Sequence, residues 1–225
     1  MTDFHAHVLP GIDDGSSSLD ESIALLEILH KDGVSLVCAT PHFNALYDEP
    51  EAFLAKRNEA YGSLSRAIEG KNLPRVIVGA EVTYFNGISN MGSIADFCIE
   101  GSKYLLIEMP PEVWSDYTVN DLVKLAITKD IKPVIAHVER CLYLQTGRTL
   151  QRLRSVGVLM QANASFFINR KTRRRALGLL KRGEIHFLGS DCHGLTFRPP
   201  HYAEAGCSVF RPGITHFLLL ITNPV

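Results

Sequence analysis

Short apolar segments alternate with longer amphipathic segments along most of this chain, and this alternation limits the folds that it can adopt. Seven segments are rich in Val, Ile and Leu with little polar alternation, as expected of strands that are buried on both faces. Helical segments between most of them favour an α/β fold, either a parallel barrel or a doubly wound sheet, and periodicity does not choose between the two. The predicted strands are residues 2–7, 34–40, 75–82, 104–109, 133–137, 158–163 and 185–191.

The amphipathic segments predict five helices. The first follows three serines at residues 16–18, any of which can cap it, and it ends at Gly33. Residues 85–98 have weaker periodicity and receive no assignment. Residues 210–214 interrupt the region where a closing helix is expected, so that helix is predicted to be short or missing. The other four helices cover roughly residues 51–69, 119–130, 149–156 and 171–182.

The length of 225 residues fits a single domain, which we expect to span residues 1–225. The formal net charge of −1 gives no overall attraction to nucleic acid, and the apolar runs are too short for insertion into a membrane. The five cysteines are scattered and odd in number, without the spacing of a disulfide framework or a zinc knuckle. This pattern predicts a cytoplasmic protein.

Histidines and carboxylates lie where the predicted strands end. Barrel enzymes place their chemistry at the carboxyl ends of strands, because the loops that follow share one face. His5 and His7 are two residues apart, so both side chains are expected on one side of the first strand. Carboxylates in apolar strands need a partner, and a group of metal ions supplies one. The candidate ligands are His5, His7, Asp14, His42, Glu81, Glu108, His137, Asp191 and His193.

A lone histidine at a strand end is usually packed or hydrogen-bonded, but these nine candidates are too many for one ion and enough for two or three. Imidazole and carboxylate ligands without thiolate suit Mn²⁺, Fe²⁺ or Zn²⁺, with Mg²⁺ as a further alternative. Clustered divalent ions serve phosphoryl transfer, because they polarise phosphate oxygens and lower the pKa of bound water. The sequence therefore predicts a metal-dependent phosphohydrolase.

Short motifs surround these residues, namely DFHAH at residues 3–7, LPGIDDG at 9–15, TPH at 40–42, GAE at 79–81, IAHVER at 135–140, SDCH at 190–193 and RPPH at 198–201. In this order they resemble the polymerase-and-histidinol-phosphatase (PHP) superfamily, and in particular its capsule-associated bacterial tyrosine phosphatases of the CpsB and YwqE type. The resemblance covers nearly the whole chain.

The resemblance implies a distorted, TIM-like seven-stranded β/α barrel that holds three metal ions, often manganese. It also implies that Arg140 and Arg198 clamp the phosphate oxygens, for which guanidinium geometry is suited, and that His42 and His137 complete the catalytic set. By the same resemblance, the first ion is held by His5, His7, Glu81 and Asp191, the second by Glu81, Glu108 and His137, and the third by Asp14, His42 and His193.

The function that the resemblance implies is hydrolysis of phosphotyrosine on the tail of a bacterial tyrosine kinase that controls capsule or exopolysaccharide synthesis. The alternative is a PHP-type phosphoesterase that acts on a small ester such as histidinol phosphate, or on a nucleotide. A third class, a non-catalytic module that binds metal or the kinase tail, is disfavoured by the complete set of ligand positions and arginines. Activity towards phosphotyrosine peptides over small alkyl phosphates distinguishes the first two classes.

A thiol mechanism is a rival, because Cys192 and Arg198 stand at the Cys-x5-Arg spacing of cysteine-dependent tyrosine phosphatases. Asp191 and His193 flank this cysteine, however, and two prolines follow the arginine, where backbone donors and a helix start are needed. We therefore interpret the spacing as chance.

Three further features remain open between a functional and a structural interpretation. The basic segment, residues 170–175 with residues 181–182 after it, could dock an acidic or phosphorylated tail or could be a solvated helix face. Trp114 and Tyr117 could border the substrate or pack within their own loop. His201 is a candidate general acid or a surface histidine.

Overall fold

In the part of the chain that the structure describes, nine short strands form two sheets, and every paired strand runs parallel to its neighbour. The structure is a computed structural model that describes residues 1–209. Its strands are β1 (Thr2–Ala6), β2 (Leu36–Ala39), β3 (His42–Phe43), β4 (Arg75–Val78), β5 (Glu81–Thr83), β6 (Tyr104–Glu108), β7 (Lys132–Ile135), β8 (Leu159–Asn163) and β9 (Phe187–Gly189). One sheet has the order β1-β2-β4, and the other, which is curled, has the order β3-β5-β6-β7-β8-β9.

The predicted seven-stranded barrel is not confirmed, because the pairing gives sheets of three and six strands. The predicted strand at residues 75–82 divides into β4 and β5 at Gly79, where the backbone passes so close to Ile99 that a Cβ would lie 2.5 Å from its Cδ1 atom. The predicted strand at residues 34–40 ends with β2, and Pro41 follows. Proline has no N–H to offer to a strand ladder, and β3 begins only after it.

The first and last strands lie side by side. β1 contacts β9, and the backbone N–H of Asp191 donates to the carbonyl of His5 at 2.8 Å. The N–H of His7 in turn donates to the carbonyl of Cys192 at 3.0 Å. The residues that follow β1 and β9 are thereby held against each other.

The five predicted helices are confirmed, with boundaries that differ by a few residues. The side chain of Ser18 caps the first helix by accepting from the N–H of Glu21. The unassigned segment 85–98 contains two short 3-10 helices, and two further α-helices follow β8 and β9. Residues 210–214, predicted to interrupt a closing helix, lie outside the described residues. The helices are α1 (Leu19–Lys31), α2 (Pro50–Ile68), α3 (Asp116–Thr128), α4 (Gly147–Ser155), α5 (Ala164–Ile168), α6 (Arg173–Lys181) and α7 (Tyr202–Val209).

Two clusters of buried apolar side chains stabilise this arrangement. The larger one joins the helices to the sheets and includes the fully buried Leu25, Leu26 and Leu29 of α1. Along each strand, the members of the smaller cluster precede the polar residues at the strand end, so the polar residues gather on one face. Within residues 1–209, no helix is both long and apolar enough to cross a membrane. The smaller cluster draws Phe4, Cys38, Ile77, Leu106, Val134 and Phe187 from six strands.

Candidate metal centre

Strand β1 aims two histidines into one buried space. Its pairing with β2 shifts between Asp3 and Ala6, so Phe4 and His5 face a single residue of β2. Bulges of this kind redirect side chains and are common beside active sites. His5 and His7 are both buried, and their Nε2 atoms lie 3.1 Å apart. The prediction that both rings point to one side is confirmed.

Glu81, the first residue of β5, lies among four imidazoles and is fully buried. Its Oε2 atom is 3.1 Å from Nε2 of His5, 3.3 Å from Nε2 of His7 and 3.2 Å from Nδ1 of His42. Its Oε1 atom is 2.8 Å from Nε2 of His137. Burial alone raises the pKa of this carboxyl, but the neighbouring histidines outweigh burial and hold the pKa well below its usual range.

Glu108 and His137 lie at the ends of the next two strands. The Oε1 atom of Glu108 is 3.4 Å from Nε2 of His137 and 3.7 Å from Nη1 of Arg140. Burial lowers the pKa of His137, but hydrogen bonds with Glu108 and Glu81 prevail and raise it to about 9. The two carboxylates therefore share one imidazole.

Asp14, His42 and His193 form the more open side of the group. The Oδ1 atom of Asp14 lies 3.5 Å from Nε2 of His42 and 3.5 Å from Nε2 of His193. Asp14 is largely exposed, whereas His193 is buried. Burial and the nearby charges of His7 and Arg198 lower the pKa of His193 to about 4.

Asp191 connects the histidines to both predicted phosphate-binding arginines. Its Oδ2 atom accepts from Nη2 of Arg140 at 2.5 Å and from Nη1 of Arg198 at 3.0 Å. Its Oδ1 atom lies 3.7 Å from Nε2 of His5 and 3.6 Å from Nε2 of His7. Burial raises the pKa of Asp191, but His5, Arg140 and His7 lower it well below its usual range. Arg140 and Arg198 thus converge on one carboxylate.

Backbone strain is concentrated at this site. Among residues 1–209, four residues other than glycine have a left-handed φ, and three of them are His137 (27°), Asp191 (52°) and Arg198 (50°). Such conformations cost free energy and persist where the surrounding structure fixes them, which happens often at active sites. The strained positions belong to the imidazole, the carboxylate and the guanidinium that the sequence singled out.

Asp13 supports the site, although the sequence analysis named only its neighbour Asp14 as a candidate ligand. Its Oδ2 atom lies 2.8 Å from Nδ1 of His7 and accepts from the N–H of His42 at 3.0 Å. Carboxylates that hold the second ring nitrogen of a ligand histidine fix the orientation of that ring. Its position in the same short loop as Asp14 was the available signal.

Gln161 and Asn163 of β8 are two further supporting residues that the sequence did not single out. The Oε1 atom of Gln161 accepts from the N–H of His137 at 2.6 Å and lies 3.3 Å from Nδ1 of His5. The amide of Asn163 donates to Oδ2 of Asp191 at 2.8 Å. Two buried polar residues at alternate positions of an apolar strand were the signal that could have identified them.

This set of donors fits divalent cations. The two Nε2 atoms of His5 and His7, only 3.1 Å apart beside a buried carboxylate, require a proton or a cation between them. All nine predicted ligands lie in this one connected group. Ligand atoms within 4.8 Å of one another form three sets that could hold an ion: His7, Asp14, His42 and His193; His5, His7 and Glu81; and His42, Glu81 and Glu108.

Cys192 lies within this region but is fully buried. Burial raises the pKa of its thiol far above the ordinary value, so the sulfur is protonated at neutral pH. Its backbone carbonyl serves β1 by accepting from His7. The structure therefore disfavours the thiol mechanism.

One cavity opens beside the arginines, and a second cavity adjoins it. The first, of about 310 Å³, is lined in part by Arg140, Arg198 and His201. The second, of about 360 Å³, shares Glu139, Ser165 and His201 with the first. The second cavity also reaches Asn169 and Thr172, which flank the first residues of the basic segment. The two arginines that are predicted to bind phosphate and the basic segment therefore border adjoining cavities.

Trp114 and Tyr117, in the segment after β6, were predicted either to border the substrate or to pack within their own loop. Trp114 is buried, and its Nε1 atom donates to the carbonyl of Pro110 at 3.1 Å, which favours packing within the loop. Tyr117 is exposed.

A parallel α/β fold with imidazole and carboxylate groups clustered at its strand ends defines a class of proteins whose site can hold metal ions. Residues 1–212 match the CpsB/CapC family of capsular polysaccharide synthesis. The chain belongs to this family.

Relatives of known name cover most of the chain. A CapC protein of Staphylococcus aureus is 33% identical over 88% of this chain and 79% of its own length. The tyrosine-protein phosphatase CpsB of Streptococcus agalactiae is 27% identical over 91% of this chain and 88% of its own. The tyrosine-protein phosphatase YwqE of Bacillus subtilis is 28% identical over 91% and 82%.

Solved structures extend the similarity. One crystal structure comes from a description of YwqE of Bacillus subtilis and CpsB of Streptococcus pneumoniae as metal-dependent tyrosine phosphatases. It superposes on this chain with a TM-score of 0.82 at 26% sequence identity, and the match covers 99% of this chain and 95% of the other chain. A histidinol phosphate phosphatase of Lactococcus lactis, bound to zinc, L-histidinol and phosphate, has a TM-score of 0.58 at 14% identity, with 91% and 89% covered. The second match shows a shared fold.

Proposed function

We propose that this protein is a metal-dependent protein-tyrosine phosphatase that hydrolyses phosphotyrosine in the control of capsule or exopolysaccharide synthesis. The observation that carries this function is the buried group of imidazoles and carboxylates joined through Asp191 to Arg140 and Arg198. Its relatives in the CpsB/CapC family are named tyrosine-protein phosphatases and match over nearly the full chain. The site and the relatives thus indicate the same chemistry.

We assign two or three divalent ions to the site, with Mn²⁺ favoured and Fe²⁺, Zn²⁺ or Mg²⁺ as alternatives. Glu81 is the proposed bridging ligand, which its four short contacts to imidazoles support. His42 lies near Glu81 as well as near Asp14, so it is placed to serve either neighbouring ion. The proposed ligand sets are His5, His7, Glu81 and Asp191; Glu81, Glu108 and His137; and Asp14, His42 and His193.

The proposed catalytic set is Arg140, Arg198, His42 and His137. Bound divalent ions polarise phosphate oxygens and lower the pKa of water. The two guanidinium groups bind the phosphate oxygens and stabilise the charge that develops on them. Asp191 pre-orients both guanidinium groups by accepting a hydrogen bond from each. His42 and His137 would hold the ions when these are bound, and each contacts Glu81.

The partner that we propose is the phosphotyrosine tail of a bacterial tyrosine kinase. The second cavity continues from the arginines towards the basic segment, where Arg170, Lys171, Arg174 and Arg175 are exposed. An acidic or phosphorylated tail is attracted by such a local excess of positive charge. His201, which lines both cavities and is half exposed, is the proposed proton donor to the leaving phenolate.

We further propose one metallophosphatase domain over residues 1–225, acting in the cytoplasm. The free cysteines Cys38, Cys98, Cys141 and Cys192 are consistent with a reducing compartment.

For the fold, we propose a distorted barrel of seven strands, in which β2 and β3 together count as one interrupted strand, and β4 and β5 together count as another. Backbone hydrogen bonds from Asp191 to His5 and from Glu81 to Pro41 support this arrangement.

The test is hydrolysis of a phosphotyrosine peptide by metal-stripped protein before and after Mn²⁺ is added back. We expect turnover only with metal, retained in Cys192→Ser and reduced by about 100-fold or more in His137→Ala, because a proposed ligand is lost. His30→Ala, a histidine of α1 outside the site, is the matched control. Activity without metal that disappears in Cys192→Ser would overturn the proposal, whereas faster turnover of histidinol phosphate than of the peptide would favour the small-ester alternative.

A further inference from the structure

An exposed phenyl ring stands beside one of the two phosphate-binding arginines. Phe197 is 65% exposed, although it lies next to the buried site. The guanidinium carbon of Arg198 is 5.4 Å from the centre of the ring, within the range of a cation–π contact. The ring also meets His193 edge to face, with centroids 6.5 Å apart and an interplanar angle of 89°. Phe197 therefore borders the site while most of its ring remains in solvent.

The loop that carries Phe197 has a fixed backbone. The N–H of His193 donates to the carbonyl of Arg198 at 3.1 Å, which closes the loop at its two ends. The N–H of Leu195 donates to Oε1 of Glu21 in α1 at 3.3 Å. A ring on a fixed loop loses little further freedom when it binds a ligand, so its contacts can contribute to affinity.

Folding does not account for the position of this ring. Apolar side chains stabilise a fold in proportion to the area that they remove from water, and the ring of Phe197 removes little. Its cation–π contact with Arg198 accounts for part of the ring at most, because the remainder is open towards solvent. An aromatic surface that is exposed and fixed at the edge of a site is suited to a ligand with an aromatic ring.

We propose that Phe197 is the aryl wall of the substrate site and stacks against the phenyl ring of phosphotyrosine, an inference that rests on the proposed phosphatase function. In this substrate a single oxygen joins the phosphorus to the ring. When Arg198 holds the phosphate group of phosphotyrosine, the phenyl ring of the same substrate therefore lies towards Phe197. Aromatic rings attract each other at centroid separations of about 4.5–7 Å. Alkyl phosphates such as phosphoserine have no ring to stack, so Phe197 determines specificity for aryl over alkyl esters.

The experiment compares kcat and KM of the Mn²⁺-loaded enzyme on two peptides of identical sequence that contain phosphotyrosine or phosphoserine. We expect Phe197→Ala to raise KM for the phosphotyrosine peptide about two- to tenfold, the value of one aromatic pair, and to leave the phosphoserine peptide unchanged. Phe197→Tyr keeps the ring and should behave as wild type. Leu195→Ala, an exposed apolar residue of the same loop, is the matched control.

Binding of non-hydrolysable phosphonates separates this inference from the proposed function. Phenylphosphonate should lose affinity in Phe197→Ala while methylphosphonate does not, whatever ester the enzyme hydrolyses. Equal losses for both phosphonates would show that Phe197 only positions Arg198, and no loss for either would show that the ring makes no contact; both results overturn the inference. A wild-type enzyme that binds phenylphosphonate through Phe197 but does not hydrolyse phosphotyrosine would refute the proposed function alone.

Discussion

Glu81 contacts four imidazoles while being fully shielded from water, and a lone carboxylate is not stable in such a place. Without a metal ion, His7 and His137 compensate its charge by holding protons. With a metal ion, the same nitrogens must give those protons up before they can bind it. Proton release on metal addition therefore measures directly whether these histidines bind metal.

Metal uptake is expected to release protons and to strengthen as the pH rises. In the metal-free protein, burial lowers the pKa of His7, but hydrogen bonds with Asp13 and Glu81 outweigh burial and raise this pKa to about 10. The pKa of His137 is likewise raised, to about 9. Both rings are therefore protonated at neutral pH, and the apparent affinity for Mn²⁺ should rise with pH until these groups lose their protons. Titration calorimetry in buffers of different ionisation enthalpy measures the released protons. Identical heats in all buffers would contradict the prediction.

Asp13→Asn is expected to weaken metal binding without removing a proposed ligand. Asp13 holds Nδ1 of His7 at 2.8 Å, and the loss of such an orienting carboxylate typically costs about 10- to 100-fold in metal affinity. A Mn²⁺ titration of the variant measures the change. Asp20→Asn, on the exposed surface of α1, is the control, and equal affinities for the two variants would show that Asp13 does not orient His7.

At this scale the sequence identified the groups that carry charge and missed those that orient them. Nine candidate ligands could be predicted because histidines and carboxylates at the ends of apolar strands are unusual. Asp13, Gln161 and Asn163 were not predicted: the sequence shows polar residues at these positions, but the partners that define their supporting role lie elsewhere in the fold. The contact between Gln161 and His5, for example, joins the eighth strand to the first.

Among the strands, β9 depends on the absence of a side chain at Gly189. A Cβ atom there would lie 2.6 Å from Cβ of His5 and 2.7 Å from Nε2 of Gln161. Gly189→Ala is therefore expected to lower the free energy of unfolding by about 1–3 kcal/mol and to displace His5. Denaturant unfolding with a parallel Mn²⁺ titration tests both effects. Gly147→Ala, where a Cβ would meet nothing within 4 Å, should leave both quantities nearly unchanged.

The sequence predicted correctly that these strands and helices exist, but it did not predict where a strand is interrupted. All seven predicted strands and five helices have counterparts, because burial produces the apolar runs and periodicity that the sequence displays. The interruption at Gly79 could not be predicted, because its cause is the close approach of Ile99, a residue from a different segment. Helix α5, at five residues, is too short to show a helical period.

Across the whole molecule, the basic segment is expected to act on long substrates only. Arg170 and Lys171 lie between Asn169 and Thr172, which line the second cavity. Replacing both with glutamate should raise KM for an acidic phosphotyrosine tail about threefold or more at low ionic strength, and added salt should reduce the difference. The rate on free phosphotyrosine should not change, since that substrate ends at the arginines.

The matched control is a second double variant that has the same net charge as the variant at residues 170 and 171. Lys31 is the last residue of α1, and Lys71 follows α2. Both lysines are exposed and precede the beginning of a strand, away from the strand ends that carry the site. The double replacement of these two lysines with glutamate should leave KM for the tail unchanged. A similar rise in KM for both double variants would indicate a general charge effect and refute docking on residues 170–175.

The neighbouring positions of β1 and β9 also have a consequence for biosynthesis. His5 and His7 are translated well before Asp191 and His193, which lie against them. A nascent chain that has not reached β9 therefore lacks the carboxylate of Asp191 and the imidazole of His193 beside these two histidines. The two proposed ligand sets that contain Asp191 or His193 can therefore form only after β9 has been translated.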